Sequence, residues 1–209
     1  MKRLVPVVVA LVLSLAAPLA HAAEPAKPAA PAPAVVSDSL AILERLVARD
    51  STKFDNLYRL GLMYLDREKN TEAAQVFLKA NKVRPKDVKT MVNLGIALDN
   101  LSKSDWAQTF YKQAVALAPL DSMASCRLAT SMYAQGKFTE SMDLLRDIIA
   151  RQPRAHCAYF TMGVAFADAG LYRDAIRMWK KVVALAPASP EAQSAKESVD
   201  VLERFLAGQ

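Results

Sequence analysis

Apolar and small residues recur at helical spacing through most of this chain, and the stretch 54–87 shows the pattern most clearly. In its first half they lie at offsets of 3, 4 and 7, at Leu57, Leu60, Gly61 and Tyr64. In its second half they lie at offsets of 4 and 7, at Ala73, Phe77 and Ala80. Residues at such offsets share one face of an α-helix. The stretch therefore predicts two helices, separated by the polar residues 67–70 and ended by Pro85, and neither helix can bury its apolar face alone.

The same pattern returns three more times, in units that follow one another directly: 54–87, 88–121, 122–155 and 156–189. A proline closes each unit, and successive prolines lie 34 residues apart, at Pro85, Pro119, Pro153 and Pro187. One small residue recurs in every first helix, at Gly61, Gly95, Ala129 and Gly163. Another recurs in every second helix, at Ala73, Ala107, Ser141 and Ala175. Small residues at fixed positions in both helices predict that the two helices approach each other closely.

A helix-turn-helix unit of 34 residues with Leu-Gly, a large residue, then Ala, an aromatic residue, Ala and Pro resembles the tetratricopeptide repeat family. The resemblance covers residues 54–189. It implies an all-α fold, a right-handed α-solenoid of four repeats in which the first helices line a concave groove. It implies much less about which ligand the groove binds.

The third unit departs most from the common pattern, because Ser125 and Ser141 replace larger or apolar residues of the other units. We expect the packing to be loosest there. In the turn between the two helices, the last two units carry Gly136 and Gly170, where a left-handed residue can end a helix. The first two units carry Glu68 and Ser102 at that position, so we expect their turns to be less ideal.

Single helices are predicted on both sides of the four units. Residues 37–51 form a half-repeat helix whose apolar residues lie at offsets of 3, 6 and 7, at Leu40, Leu43, Leu46 and Val47. Residues 190–207 form a C-terminal capping helix that begins with Ser189-Pro190-Glu191, a strong start signal. Its apolar stripe comprises Ala192, Ala195, Val199, Leu202 and Leu206. Terminal helices of this kind cover the exposed flanks of a solenoid.

The N-terminal region has the composition of an export signal followed by a linker. Residues 1–22 combine Lys2 and Arg3, an apolar run, and a small-x-small cleavage site at 20–22. We expect cleavage near Ala22, a periplasmic or secreted mature protein, and no stable membrane span. The alternative is an uncleaved anchor, which the short, proline-containing apolar run disfavours. Residues 23–36 are rich in Pro and Ala and predict a disordered linker.

The net charge and the absence of chemical motifs disfavour several classes of function. The chain carries a formal charge of +6, of which the leader supplies two, so the remainder carries +4 and gives little reason to propose nucleic acid as a partner. After cleavage His156 is the one histidine left, and it lies at a predicted helix start. No cysteine or histidine spacing typical of metal sites and no glycine-rich phosphate loop occurs. We therefore predict no enzymatic activity, no metal and no cofactor.

The two cysteines, Cys126 and Cys157, lie near the starts of neighbouring first helices. An oxidising compartment would permit a disulfide between them. The spacing of packed helices makes the geometry borderline, since a disulfide needs Cα atoms within about 7 Å. Two small apolar fillers and a redox-active thiol pair are the alternatives.

A stripe beside the core positions of the first helices faces the groove that the resemblance implies. Its candidate binding residues are Tyr58, Leu62, Lys89, Val92, Asn93, Ile96, Met123, Arg127, Tyr133 and Phe160. A groove with apolar, aromatic and polar side chains suits an extended peptide or a partner helix. One subfamily grips acidic chain termini with Lys, Asn and Arg. Asn93 and Arg127 fit that pattern, whereas Tyr58, Leu62 and Met123 depart from it.

The sequence thus favours a non-catalytic protein-protein interaction module, a periplasmic scaffold or assembly factor whose partners are envelope proteins. Two alternatives remain open. One is a thiol-disulfide redox protein that uses Cys126 and Cys157, and the other is a structural solenoid that associates with itself.

Overall fold

A computed structural model of the chain describes residues 34–208, and within that range it contains ten helices and no strand. In chain order these are α1 (Ala34–Arg49), α2 (Phe54–Asp66), α3 (Asn70–Val83), α4 (Val88–Asn100), α5 (Ser104–Leu117), α6 (Ser122–Ala134), α7 (Phe138–Arg151), α8 (His156–Asp168), α9 (Tyr172–Leu185) and α10 (Pro190–Ala207). The predicted signal, 1–22, and most of the predicted linker lie outside the described residues. The predicted all-α fold is confirmed.

Each of the four 34-residue units contains a first helix of 13 residues and a second helix of 14 residues. The first helices are α2, α4, α6 and α8, and the second helices are α3, α5, α7 and α9. Each helix packs on the one before and the one after it in the chain. First helices of neighbouring units also contact each other, whereas neighbouring second helices show no comparable contact within residues 34–208. The first helices therefore lie on the inner, concave side of a helical repeat solenoid.

The small residues of the first helices are needed for close packing against the second helices. A Cβ atom on Gly95 would lie 2.3 Å from the Tyr111 ring, and one on Gly163 would lie 2.4 Å from the Trp179 indole. Both distances are far inside van der Waals contact, so only glycine lets the aromatic ring lie against the helix backbone. The third repeat has Ala129 at this position.

The turns within the four repeats share one geometry. Their left-handed residues are Glu68, Ser102, Gly136 and Gly170, with φ of 57°, 58°, 76° and 74°. In each turn, the backbone N–H of the residue after the left-handed one donates a hydrogen bond to the carbonyl oxygen five residues before it. Examples are Lys69 N to Tyr64 O at 2.9 Å and Lys137 N to Met132 O at 3.0 Å. This bond ends the first helix in a Schellman-type cap. The left-handed conformation is less favourable by about 1–2 kcal/mol for a non-glycine residue. The turns of the first two repeats, with Glu68 and Ser102, are destabilised by about this amount.

The apolar core is interrupted at the third repeat. One cluster of buried residues extends from α1 to α6, and two smaller clusters follow, one around α6–α8 and one around α8–α10. Three of the six buried polar residues, Ser125, Ser131 and Ser141, belong to the third repeat. The Ser141 hydroxyl is satisfied there by donating to Ala129 O at 2.7 Å. Buried hydroxyls thus occupy positions that apolar side chains fill in the other repeats.

Both flanks of the repeats are covered by a single helix. α1 spans Ala34–Arg49 and so includes residues 34–36 of the stretch predicted as linker. Its Leu43 and Val47 are buried against the first repeat. α10 begins at Pro190, where the Ser189 hydroxyl caps the helix, and it packs along α9. No helix among residues 34–208 combines the length and apolar character needed to cross a bilayer.

Candidate binding groove

The ten predicted binding residues all lie on first helices, but they differ in exposure. Three are exposed, and these are Leu62 at 39%, Met123 at 42% and Lys89. Six are half-buried, and these are Tyr58, Asn93, Ile96, Arg127, Tyr133 and Phe160. One, Val92, is buried.

The assignment of Val92 as a groove contact is wrong, because it is only 6% exposed and belongs to the core. Val92 lies at the position where one first helix meets the next, as do Tyr58, Cys126 and Phe160 in the other repeats. The long rings of Tyr58 and Phe160 extend past that contact and keep part of their surface in solvent. The shorter side chain of Val92 does not reach the groove.

Tyr58 and Asn93 connect the first two repeats across the groove floor. The Tyr58 ring packs against Phe54 and Phe77, with ring centroids 5.8 Å and 6.0 Å apart. Asn93 Nδ2 donates a hydrogen bond to the Tyr58 hydroxyl at 3.0 Å. Burial raises the pKa of Tyr58 although the bond from Asn93 opposes this. Because the Tyr58 hydroxyl oxygen accepts this bond, its own proton remains available for donation to a ligand.

A disulfide joins Cys126 in α6 to Cys157 in α8, with Cα atoms 6.0 Å apart. Of the three states considered for this pair, the structure contains the covalent one. Cys126 is 3% exposed and Cys157 is half-buried, so the bond lies in the floor of the groove. It fixes the spacing between the first helices of the third and fourth repeats.

Two hydrogen bonds continue this connection between α6 and α8. One helical turn beyond the disulfide, Thr130 Oγ1 and Thr161 Oγ1 lie 3.0 Å apart. Near the ends of the two helices the Tyr133 hydroxyl donates to Asp168 Oδ2 at 2.7 Å. The α6–α8 contact is thus held at three levels along its length.

Tyr133, predicted as a groove residue, makes more contacts within its own chain than the sequence predicts. Its ring packs edge-on against Phe138, with centroids 5.0 Å apart, and its hydroxyl is taken by Asp168. Burial, the hydrogen bond to Asp168 and that carboxylate's charge raise the pKa of Tyr133. Its half-exposed ring remains a surface for a partner, but its hydroxyl is already used.

Two predicted cations of the groove, Lys89 and Arg127, form no ion pair with any residue in the range 39–208. Arg127 lies near Tyr111, where its charge works against the rise in pKa that burial causes. The neighbouring carboxylate, Asp99, is occupied by hydrogen bonds from the Tyr111 hydroxyl at 3.1 Å and Ser131 Oγ at 3.0 Å. Positive charge in the groove is therefore available to an acidic group of a ligand.

The polar links between repeats are not predicted by the apolar pattern, although their spacing leaves a signal. Pairs 31 residues apart are Thr130–Thr161 and Cys126–Cys157, and pairs 35 residues apart are Tyr58–Asn93 and Tyr133–Asp168. Both separations lie within one helical turn of the 34-residue period. A search for complementary polar side chains at these separations would have found them.

The remaining candidate for chemistry, His156, begins α8, and its Nε2 lies 4.0 Å from Glu191 Oε2. Among the side chains of the described region, no three His, Cys, Asp or Glu groups converge where a metal ion could bind. What the groove offers is a set of contacts: exposed apolar side chains, a tyrosine hydroxyl and two unpaired cations.

Parts of the repeat region are similar to known sequences. Residues 54–87 and residues 92–156 each match a family model described as tetratricopeptide repeat. A curated relative, Superkiller protein 3 of Saccharomyces cerevisiae, is 26% identical over 89 residues. That match covers 43% of this chain and only 6% of the yeast protein.

Several solved structures are similar to the fold. MamA is 19% identical with a TM-score of 0.61, covering 72% of this chain and 88% of its own. YrrB, described as a TPR protein with an unusual peptide-binding site, is 23% identical with a TM-score of 0.57, covering 78% and 84%. TTC0263, a thermophilic TPR protein in Thermus thermophilus, is 14% identical with a TM-score of 0.66, covering 78% and 90%. At these identities the likeness concerns the fold alone.

Proposed function

The chain is a tetratricopeptide repeat protein, and from this premise we propose that it is a non-catalytic interaction module that binds a segment of a partner protein in its concave groove. The observation that carries the proposal is the exposure of Leu62 and Met123 on the inner helices, at 39% and 42%, together with two cations of those helices that have no acidic partner among residues 39–208. Solvent-exposed apolar side chains and unpaired charges on one side of a fold favour a binding surface. The peptide-binding site named for YrrB is consistent with this use of the fold.

The groove chemistry suggests the kind of segment that binds. Leu62, Ile96, Met123 and Phe160 would contact apolar side chains of the ligand. Lys89 and Arg127 would pair with its acidic groups, and the Tyr58 hydroxyl would donate to a carbonyl or carboxylate. An amphipathic helix or an extended peptide with alternating apolar and acidic residues meets these requirements.

A matched pair of double variants tests the groove. Leu62→Asp with Met123→Asp places charge on the inner helices, whereas Leu78→Asp with Leu117→Asp places the same charge on second helices, where these leucines are equally exposed at 41% and 44%. We expect the groove variant to lose about tenfold or more in affinity for partners recovered by cross-linking from an envelope extract, because a buried contact is replaced by an unpaired charge. We expect the control variant to keep its affinity. Equal affinity of both variants would place the binding surface elsewhere.

We also propose that the protein acts after export, as a scaffold or assembly factor of the periplasm. Support comes from the leader-like residues 1–22 and from the Cys126–Cys157 disulfide, since such bonds persist in oxidising compartments. The intact mass of the protein recovered from the envelope fraction tests this. Export with cleavage predicts a chain that begins at Ala23, and a full-length chain recovered only from the cytoplasm would contradict it.

The Cys126–Cys157 bond itself supports a structural role over redox catalysis. Exchange requires attack on an accessible sulfur, and here Cys126 is 3% exposed and Cys157 is half-buried. Thiol titration of the native protein separates the two roles. We expect no reactive thiol before denaturation, and rapid exchange with a dithiol under native conditions would favour the redox role.

A further inference from the structure

The outer face of α9 carries a row of four basic side chains. Arg173, Arg177 and Lys181 follow one another at intervals of four residues, and Lys180 lies beside them. All four are exposed, and they lie opposite the buried side of the helix, which comprises Ala175, Trp179 and Val182. With Ile176 and Ala184 they line a shallow depression of about 500 Å³. We call these six residues the α9 basic face.

The other second helices do not share this face. At the four corresponding positions α3 and α5 each carry one cation, Lys79 and Lys112. In α7 the single cation, Arg146, is accompanied by Asp143 and Asp147. The repeat architecture requires only the buried positions, so it does not explain why one helix gathers four cations on its outer side.

Two of these four cations form ion pairs with acidic side chains and two do not. Arg177 pairs with Asp174 at 2.5 Å, and Lys180 pairs with Glu203 of α10 at 2.7 Å. Arg173 and Lys181 form neither an ion pair nor a hydrogen bond with other residues of the described chain. The two unpaired cations lie at the ends of the row, eight residues and therefore about 12 Å apart along the helix.

We propose that the α9 basic face is a second docking surface, which binds an acidic helical segment of a partner protein. Cations at intervals of four residues form a row with steps of about 6 Å, inclined to the helix axis, and carboxylates spaced in the same way on a partner helix that crosses α9 at the matching angle would meet them. Ile176 and Ala184 form an apolar floor on which small side chains of that helix pack. The face lies on the opposite side of the solenoid from the groove, so both can be occupied at once.

Binding of a synthetic helix tests the proposal with the full chain. The probe is an alanine-based peptide with glutamate at every fourth position, and its partner peptide has the same composition with the glutamates distributed around the helix. We expect the first peptide to bind more tightly by about fivefold at low salt, because only its carboxylates align with the row. Equal binding of both peptides would overturn the proposed spacing.

Charge-reversed variants identify the surface. Arg173→Glu with Lys181→Glu should weaken binding of the aligned peptide by about tenfold, because both unpaired cations become repulsive. Lys79→Glu with Lys112→Glu changes the net charge equally at corresponding positions of α3 and α5 and should leave binding within about twofold. Equal losses in both variants would indicate non-specific attraction and overturn the proposal.

Two further measurements separate this surface from other sites. The groove variant Leu62→Asp with Met123→Asp should bind the aligned peptide as the unchanged chain does, so failure of the groove proposal leaves this result unaffected. Vesicles of phosphatidylglycerol provide the alternative anionic surface. Retention on vesicles that Arg173→Glu with Lys181→Glu abolishes, without peptide binding by the unchanged chain, would assign the face to lipid and overturn the proposal.

Discussion

The second and third repeats build the same helix pair from different side chains. In the second repeat Gly95 allows the Tyr111 ring to lie against the first helix. In the third repeat Ala129 faces the smaller Leu145, and Ser141 forms a hydrogen bond with the backbone of α6. Both solutions fill the space between the helices, one with a large ring against a bare backbone and one with two smaller aliphatic groups and a buried hydroxyl. The repeat therefore constrains the combined volume at these positions and not the identity of each residue.

The two repeats also differ in how they are joined to their neighbours. The second repeat belongs to the long apolar cluster that begins at α1. The third repeat interrupts that cluster, and its first helix is connected to the next by a disulfide and two hydrogen bonds. Where the apolar core is weakest, covalent and polar contacts supply the connection between repeats.

Removing the disulfide should give the largest effect. In the chain-entropy description, a bond that closes 31 residues stabilises the folded chain by about 3–4 kcal/mol. We expect Cys126→Ser with Cys157→Ser to lower the free energy of unfolding by that amount, with hydrogen exchange rising in α8–α10 before α2–α5. Urea unfolding with and without reductant measures the difference. Reductant should have no effect on the double variant, and unchanged stability of the reduced native chain would show that the apolar contacts suffice.

Adding one methyl group at Gly95, the glycine of the second repeat, should give the second largest loss of stability. Gly95→Ala places Cβ about 2.3 Å from the Tyr111 ring and should destabilise the chain by about 1–3 kcal/mol through overpacking. Tyr111→Leu in the same chain converts the pair to the combination used in the third repeat. Thermal and urea unfolding of the two single variants and the double variant should then show that the second change recovers part of the loss. Additive losses would show that the two positions are independent.

Alkaline pH should give the smallest effect, and Tyr111 of the second repeat is the most deeply buried of the four tyrosines that contribute to it. Tyr111 has the one ionisable group among the four corresponding residues, which are Phe77, Tyr111, Leu145 and Trp179. Burial, followed by the charge of Asp99 and the hydrogen bond to it, raises the pKa of Tyr111. The folded state thus binds this proton more tightly than the unfolded state, so its stabilising contribution is complete below about pH 10 and is lost as pH rises further.

The free energy of unfolding between pH 8 and pH 11 measures this contribution. We expect Tyr111→Phe to reduce the loss of stability by about 1 kcal/mol at pH 11. Tyr64, whose pKa burial raises to about 12, provides a comparison in the first repeat, and Tyr64→Phe should remove part of the remaining slope, to which Tyr58 and Tyr133 also contribute. Identical slopes in the unchanged and substituted chains would show that neither tyrosine contributes.

The helix pairs could be predicted from the sequence because their determinants are local and repeated. Each glycine and proline was identified by its recurrence every 34 residues, and the close approach at Gly95 and Gly163 followed from residue size. The helical state of residues 34–36 could not be predicted, because this segment suits both a linker and a helix.

The groove was less predictable because exposure depends on contacts between repeats. Val92 occupies the same repeat position as Phe160, yet its side chain is too short to emerge from the contact between first helices. Tyr133 is partly covered by Phe138, the first residue of α7, and its hydroxyl is bonded to Asp168 of the next repeat. Helical periodicity places a residue on a face, but it does not say which neighbour covers that face.

The three-level connection between α6 and α8 has a mechanical consequence. A solenoid whose inner helices touch and whose outer helices do not can change its curvature by tilting one repeat against the next. At the α6–α8 contact the disulfide and two hydrogen bonds oppose such tilting, so we expect the last two repeats to tilt less against each other than the first two do. Between α2 and α4 the Tyr58–Asn93 hydrogen bond offers far less resistance. We therefore expect changes in the curvature of the groove to occur mainly in the N-terminal half of the solenoid.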